Sequence, residues 1–169
     1  MEALDCLANR ISMRKFEKHV MKEEEINIIL KAGFEAPSAM NRRPYELIVN
    51  TDNAFWHEMT PYKPTCEIMT TASLTVLVVG DSNKNPTDEF LIEDCSLVSE
   101  NMLLAAKAIG YDSLWAGIKW HSDFYNALIK YFQLPEGFVP VAALSFGKPG
   151  EKKAQIDRFD KKKVHYGKF

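Results

Sequence analysis

Asp88-Glu-Phe-Leu-Ile-Glu-Asp-Cys-Ser-Leu-Val-Ser-Glu-Asn-Met-Leu-Leu-Ala-Ala-Lys-Ala-Ile-Gly110 is the stretch on which the fold turns. Leu91, Cys95, Val98, Met102, Ala105 and Ile109 step by four and three, the spacing that lines up one face of a helix running from about Asp88 to Ile109. Leu97, Leu104 and Ala108 make a second apolar stripe beside the first. A helix apolar on more than one face is more deeply buried than a surface helix. In a chain of 169 residues, it either sits at the centre of the core or packs one stripe on another subunit. Glu93 and Asp94 complement the dipole at its start, and Gly110 can end it in the left-handed conformation.

Working outward, Ala72–Gly80 contains Leu-Thr-Val-Leu-Val-Val and reads as a buried central strand, followed by a polar loop, Asp81–Thr87. Tyr111–Ile118 reads as a turn into a short strand, Ser122–Phe132 as a helix, and Phe138–Phe146 as the last core strand. Upstream, a short helix over Glu2–Asn9 is followed by one within Val20–Gly33, with acids in its first turn and Ile26, Ile29, Leu30 and Gly33 at helical spacing. Leu47–Val49 is a short strand. Asp52 can cap a helix reaching Met59, with Phe55, Trp56 and Met59 inward, before Pro61 and Pro64 break the regularity. The order is helix, helix, strand, helix, strand, long helix, strand, helix, strand, which predicts layered helices and sheet in a single domain over 1–169. Gly147–Phe169 is charged and lacks a core pattern until Val164-His-Tyr166. It predicts an extended C-terminal arm whose aromatic end, Tyr166 and Phe169, wraps on a partner.

Composition excludes several classes. Hydrophobic residues at 46%, charged residues at 26% and a net charge of −2 give no reason to expect nucleic acid as a partner. No apolar run has the length of a membrane span, and acids stand where a signal peptide carries bases, so a cytoplasmic protein is expected. Cys6, Cys66 and Cys95 form no zinc spacing with the histidines and read as buried and reduced. His57, Glu58 and His121 read as solvated. There is no dinucleotide fingerprint, phosphate loop, nucleophile elbow or metalloprotease motif. No catalytic side chain and no metal site is expected, which is coherent where a bound cofactor performs the chemistry.

Two segments offer binding chemistry. Ala36-Pro-Ser-Ala-Met-Asn-Arg-Arg-Pro-Tyr45 is a loop pinned by two prolines between a helix and a strand, carrying Ser38, Asn41, Arg42 and Arg43. In Arg10-Ile-Ser-Met-Arg14 the polar trio Arg10, Ser12 and Arg14 alternates with Ile11 and Met13, so an extended segment points all three one way. Guanidinium groups bind phosphate and similar anions in a bidentate fork.

In this order the segments resemble the nitroreductase family of flavin enzymes. Arg10–Arg14 is similar to the family's Arg-x-Ser-x-Arg motif, and Ala36–Asn41 with Pro44-Tyr45 to its Ala-Pro-Ser-x-x-Asn-x-Gln-Pro-Trp loop. Glu93-Asp94 through Gly110, Trp115-Ala-Gly117, Phe146-Gly-Lys-Pro149, Arg158 and Val164-His-Tyr166 resemble its later segments. The resemblance implies an α+β, three-layer α/β/α fold, with a mainly antiparallel sheet around the buried long helix and the tail embracing a second subunit. It also implies a homodimer with two FMN sites at the interface. Arg10, Ile11, Ser12 and Arg14 would approach the phosphate and ribityl chain, and Arg158 would close on the phosphate. Pro37, Ser38, Ala39, Asn41 and Arg43 would line the isoalloxazine from the partner subunit, and Trp115, Ala116 and Gly117 would meet its redox-active edge.

The implied activity is ping-pong electron transfer from NADH or NADPH through FMN to nitroaromatics, quinones or similar small acceptors. The resemblance extends to specialised relatives, a dehalogenase or a flavin-consuming enzyme, and to a non-catalytic flavin-binding protein. Arg43 replaces the usual Gln, Tyr45 the usual Trp, and Asp112 a small residue. Little sequence between Met59 and Ser73 is left for a covering excursion, which implies an open acceptor site.

Overall fold

The computed structural model describes residues 2–84 and 88–169, the side chains of 88 and 89 excepted. In chain order the elements are α1 (Ala3–Asn9), β1 (Phe16–Glu17), α2 (Glu23–Phe34), β2 (Tyr45–Asn50), α3 (Trp56–Met59), β3 (Leu74–Asp81), α4 (Asp88–Ala108), β4 (Asp112–Gly117), α5 (Asp123–Phe132) and β5 (Phe138–Pro149). Short 3₁₀ turns cover Ala39–Asn41, Pro64–Thr71 and Lys161–Lys163.

β3 lies between β2 and β5, and β5 pairs with β4 and then β1; every ladder is antiparallel. Because side chains alternate along a strand, β3 feeds two cores. Leu74, Val76 and Val78 face α2 and α4, where they meet Ile29, Cys95, Val98 and Met102. Leu77 and Val79 face the other way, onto Trp56, Met69, Phe124 and Leu128 of α3, the 3₁₀ turn and α5. The result is helices on both sides of a buried sheet, as the α+β expectation has it. Nothing among the described helices is long and apolar enough to cross a membrane.

Several boundaries differ from the sequence reading. α3 begins at Trp56, because the Asp52 carboxylate accepts from the Ala54 N–H (3.1 Å) in a tight turn rather than capping a helix. The proline-broken stretch is an ordered 3₁₀ turn that buries Cys66 and Met69. Asp81 belongs to β3, and 85–87 of the expected loop lie outside the described residues. β5 continues through Gly147–Pro149, assigned to the arm from sequence, because Phe16 and Glu17 pair with Pro149 and Lys148.

α4 is buried on one side only. Leu91, Cys95, Val98 and Met102 are fully buried, whereas Leu97 is 44% exposed, Phe90 46% and Ala108 exposed. The second stripe therefore lies on the surface of this chain. It forms the floor, through Leu104 and Ala108, of an apolar groove of about 460 Å³ walled by Ala3 and Leu7 of α1 and Ala32 of α2.

Candidate functional site

Arg10 follows α1 with extended backbone, so α1 ends there and the chain runs alongside β4. Ser12 bridges Ser113 in parallel, and the Met13 N–H donates to the Ser113 carbonyl at 2.8 Å. Met13 is buried, which turns Arg10, Ser12 and Arg14 away from the core. Arg10 and Ser12 line a cavity of about 430 Å³ with Ser96, Glu100 and Leu103 of α4 and Trp115 of β4. Its volume lies within the ~300–1,000 Å³ usual for small-molecule sites. The Arg10 Nε stands 3.4 Å from the Glu100 carboxylate, a partly exposed pair. Ile11 is half-buried behind them, against Met13 and Phe16.

The arm returns to this segment. The β1–β5 register continues past Pro149: the Gly150 N–H donates to the Lys15 carbonyl (2.8 Å), and the Arg14 N–H to the Glu151 carboxylate (3.2 Å). Lys153 Nζ donates to the Ser12 carbonyl (2.7 Å), and Gln155 Nε2 to the Ala8 carbonyl (3.1 Å). Lys153 was missed from sequence, where it is one of several charges in the Gly147–Phe169 arm. Arg158 lies beyond, in a groove with Leu4, Leu7, Ile156 and Phe159. Of the arm's cations it is Lys153, not Arg158, that this chain brings to Ser12.

Trp115, Ala116 and Gly117 end β4. In a strand successive residues direct their backbone groups to opposite edges. Ile118 N–H donates to Val141 of β5, whereas the Ser113 carbonyl faces Met13, so Ser113, Trp115 and Gly117 present their groups to the edge away from β5. Trp115 is 45% exposed, and its indole lies across Gly117: a Cβ there would come within 2.4 Å of the ring. Only glycine lets the ring occupy that position.

The Ala36–Tyr45 loop is strained. Met40, Asn41 and Arg43 have φ of 52°, 55° and 49°, left-handed values that suit asparagine but not methionine or arginine. Side-chain contacts help to hold it. The Ser38 hydroxyl accepts from the Arg43 N–H (3.0 Å), and Asn41 Oδ1 accepts from Arg43 Nε (3.1 Å). The Ala39 N–H donates to the buried Asp94 carboxylate of α4 (2.9 Å). Pro37 and Arg43 are exposed, and the segment re-enters the sheet only at Tyr45, after Pro44. Strain of this kind persists where surroundings over-determine it, commonly at ligand sites.

The fold of this chain does not bring the two sets together. The loop docks on Asp94, while the Arg10 cavity is lined by Ser96, Glu100 and Leu103. At about 100° per residue those three lie roughly 180–240° around α4 from Asp94. The stripe of Leu97, Leu104 and Ala108, exposed at Leu97 and Ala108 and half-buried at Leu104, runs between the two flanks. Asp112, unusual at its position, is buried and bonded to Lys107 Nζ (2.7 Å), closing the turn from α4 into β4.

The donors fit a phosphate-bearing, flat cofactor. Arg10 and Ser12 bring a cation and a hydroxyl to the cavity, and Trp115 brings a half-exposed aromatic ring. Cys66 and Cys95 are poor candidates for a reactive thiolate, since burial pushes both thiols up to about 12.

The nitroreductase family profile matches residues 7–62 and 50–148. A protein of Methanothermobacter thermautotrophicus, provisionally named NADH dehydrogenase/NAD(P)H nitroreductase, is 30% identical over all of this chain and 88% of its own length. One of the same name from Archaeoglobus fulgidus is 32% identical over 99% of both chains. A crystal structure of a similarly named protein from Bacteroides thetaiotaomicron superposes with a TM-score of 0.91 at 32% identity, covering 99% of this chain and 98% of that one.

Proposed function

This chain belongs to the nitroreductase family, and we propose that it is an FMN-dependent oxidoreductase carrying electrons from NADH or NADPH to small nitroaromatic, quinone or similar acceptors. The observation that carries the reading is the cavity in which Arg10 and Ser12 meet the half-exposed Trp115 at the free edge of β4.

We further propose that the working unit is a homodimer. The exposed stripe on α4 separates the Arg10 cavity from the Ala36–Tyr45 loop. A second copy packed two-fold along that stripe would cover Leu97 and Leu104 and carry its own loop toward the cavity of the first. Arg10, Ser12, Arg14 and Lys153 would then hold the phosphate and ribityl end. Trp115, Ala116 and Gly117 would meet the ring edge from one subunit, and Pro37, Ser38, Ala39, Asn41 and Arg43 from the other. The arm, with Arg158 and its aromatic end, would close over the neighbouring subunit.

Bound FMN would supply the redox chemistry, taking a hydride equivalent from the nicotinamide and passing electrons to the acceptor. The chain's own residues bind and orient. Arg10 offsets phosphate charge, the β4 edge donates hydrogen bonds to the ring, and Trp115 with the partner's loop walls the slot. One slot for donor and acceptor implies that they bind in turn, which is the ping-pong scheme. No side chain has to donate or remove a proton.

Purified protein is expected to be yellow, with a flavin spectrum bleached by NADH or NADPH and restored by a nitroaromatic. Colourless protein that takes up no FMN would refute the reading.

A further inference from the structure

Lys63 is the residue that the sequence leaves unused and the fold places at the flavin-facing edge. It precedes the Pro64–Thr71 3₁₀ turn with extended backbone, and its N–H donates to the Met59 carbonyl at 3.1 Å, so the start of the side chain is fixed between α3 and that turn. From there the half-buried side chain crosses to β4. Its Nζ donates to the Gly117 carbonyl at 2.7 Å and stands 5.2 Å over the Phe124 ring. A lysine merely covering surface would keep its ammonium in water. Here the ammonium is committed to one backbone carbonyl at a short, charge-assisted distance.

That carbonyl matters because of the edge it belongs to. Ser113, Trp115 and Gly117 present their backbone groups away from β5, and among the described residues β4 has a strand neighbour on that side only at Ser12. The Ser113 carbonyl is taken by the Met13 N–H and the Gly117 carbonyl by Lys63. Capping both carbonyls leaves an edge richer in donors than in acceptors. A ring that presents carbonyl oxygen and unprotonated nitrogen needs donors opposite it. The same contact fixes Gly117, against which the Trp115 indole lies, and through Trp115 it fixes a wall of the Arg10 cavity.

We propose that Lys63 is a positioning residue for the flavin: by capping Gly117 it keeps the β4 edge donor-rich, holds Trp115 in register, and sets a positive charge beside the ring that favours its reduced, anionic form. This rests on the placement of the flavin along β4 proposed above. The charge acts through Coulomb attraction in a partly desolvated site, which is stronger there than in water.

The test uses the intact FMN-loaded protein with Lys63→Met, Lys63→Gln and Lys63→Arg, reading FMN dissociation constant, flavin midpoint potential and melting temperature. Lys63→Met should weaken FMN by about tenfold, the scale of one hydrogen bond to a charged group, and lower the potential. Lys63→Gln, which keeps a neutral donor, should lower the potential with a smaller loss of affinity. Lys63→Arg should recover most of both. A merely structural lysine would change melting temperature without moving the potential, and unchanged potential in Met and Gln variants that bind FMN overturns the proposal. Wild-type protein that takes up no FMN would instead overturn the flavin placement itself, and this inference with it.

Discussion

The two apolar stripes of α4 are built from the same kinds of side chain and have different surroundings. Leu91, Cys95, Val98 and Met102 are sealed against the sheet, while Phe90 and Leu97 on the outer side remain nearly half exposed and Leu104 floors an open groove. The inner stripe is explained by this chain alone. The outer one, flanked on one side by the Arg10 cavity and on the other by the loop bonded to Asp94, is the face that the proposed second copy would cover. An apolar face left open within a chain thus carries information about assembly, and here about where a site made from two chains would close.

The largest effect expected from that contrast comes from the outer stripe. Leu97→Glu with Leu104→Glu should leave a folded monomer by sedimentation. It should weaken FMN at least ~100-fold, since a whole wall of contacts worth about 1 kcal/mol each is removed. A monomer that keeps wild-type FMN affinity would break the comparison.

On the inner stripe, Met102→Ala should cost about 2–5 kcal/mol of stability through the cavity it leaves, read by denaturant unfolding at any protein concentration. Leu97→Ala should instead act through association, so its effect should fade as protein concentration rises. Equal, concentration-independent losses would mean that the two stripes do the same job.

A smaller effect is expected at Glu25, where α2 begins on the sealed side. The Lys22 N–H donates to its carboxylate at 2.9 Å, and this bond first, then Tyr111, holds Glu25 below the ordinary carboxylate value. A depressed folded-state value means its contribution is complete above the unfolded pKa and is lost as pH falls through the folded one. Wild type should therefore exceed Glu25→Gln modestly at neutral pH, and the two should converge in acid. A constant difference across the titration would exclude the carboxylate as its source.

Local pattern carried the layers, the buried β3, the long helix and the alternation of Arg10–Arg14, because each depends on periodicity within one element. It also marked the Ala36–Tyr45 loop, where two prolines and a run of polar residues exclude helix. What it missed depends on residues distant in sequence. β5 reaches Pro149 because Phe16 and Glu17 stand beside it. Lys153 comes to Ser12 across 141 residues, and Lys63 to Gly117 across 54. Charge in a tail or just before a proline shows no partner in the sequence until the fold supplies a carbonyl to meet it. The left-handed Met40 and Arg43 were equally hidden, since neither residue type favours that conformation.

The claim that each flavin site draws on two chains is tested most directly by complementation between two defective proteins. Arg10→Ala damages the cavity, and Asn41→Ala damages the loop. Each variant alone should bind FMN poorly. When the two are mixed, unfolded and refolded together, half the dimers formed at random are mixed, and each carries one intact site and one doubly damaged one. FMN titration should then find about one quarter of all sites with wild-type affinity. Mixtures that recover no tight site would show that both residues serve the same chain's flavin, contradicting a site built across the outer stripe of α4.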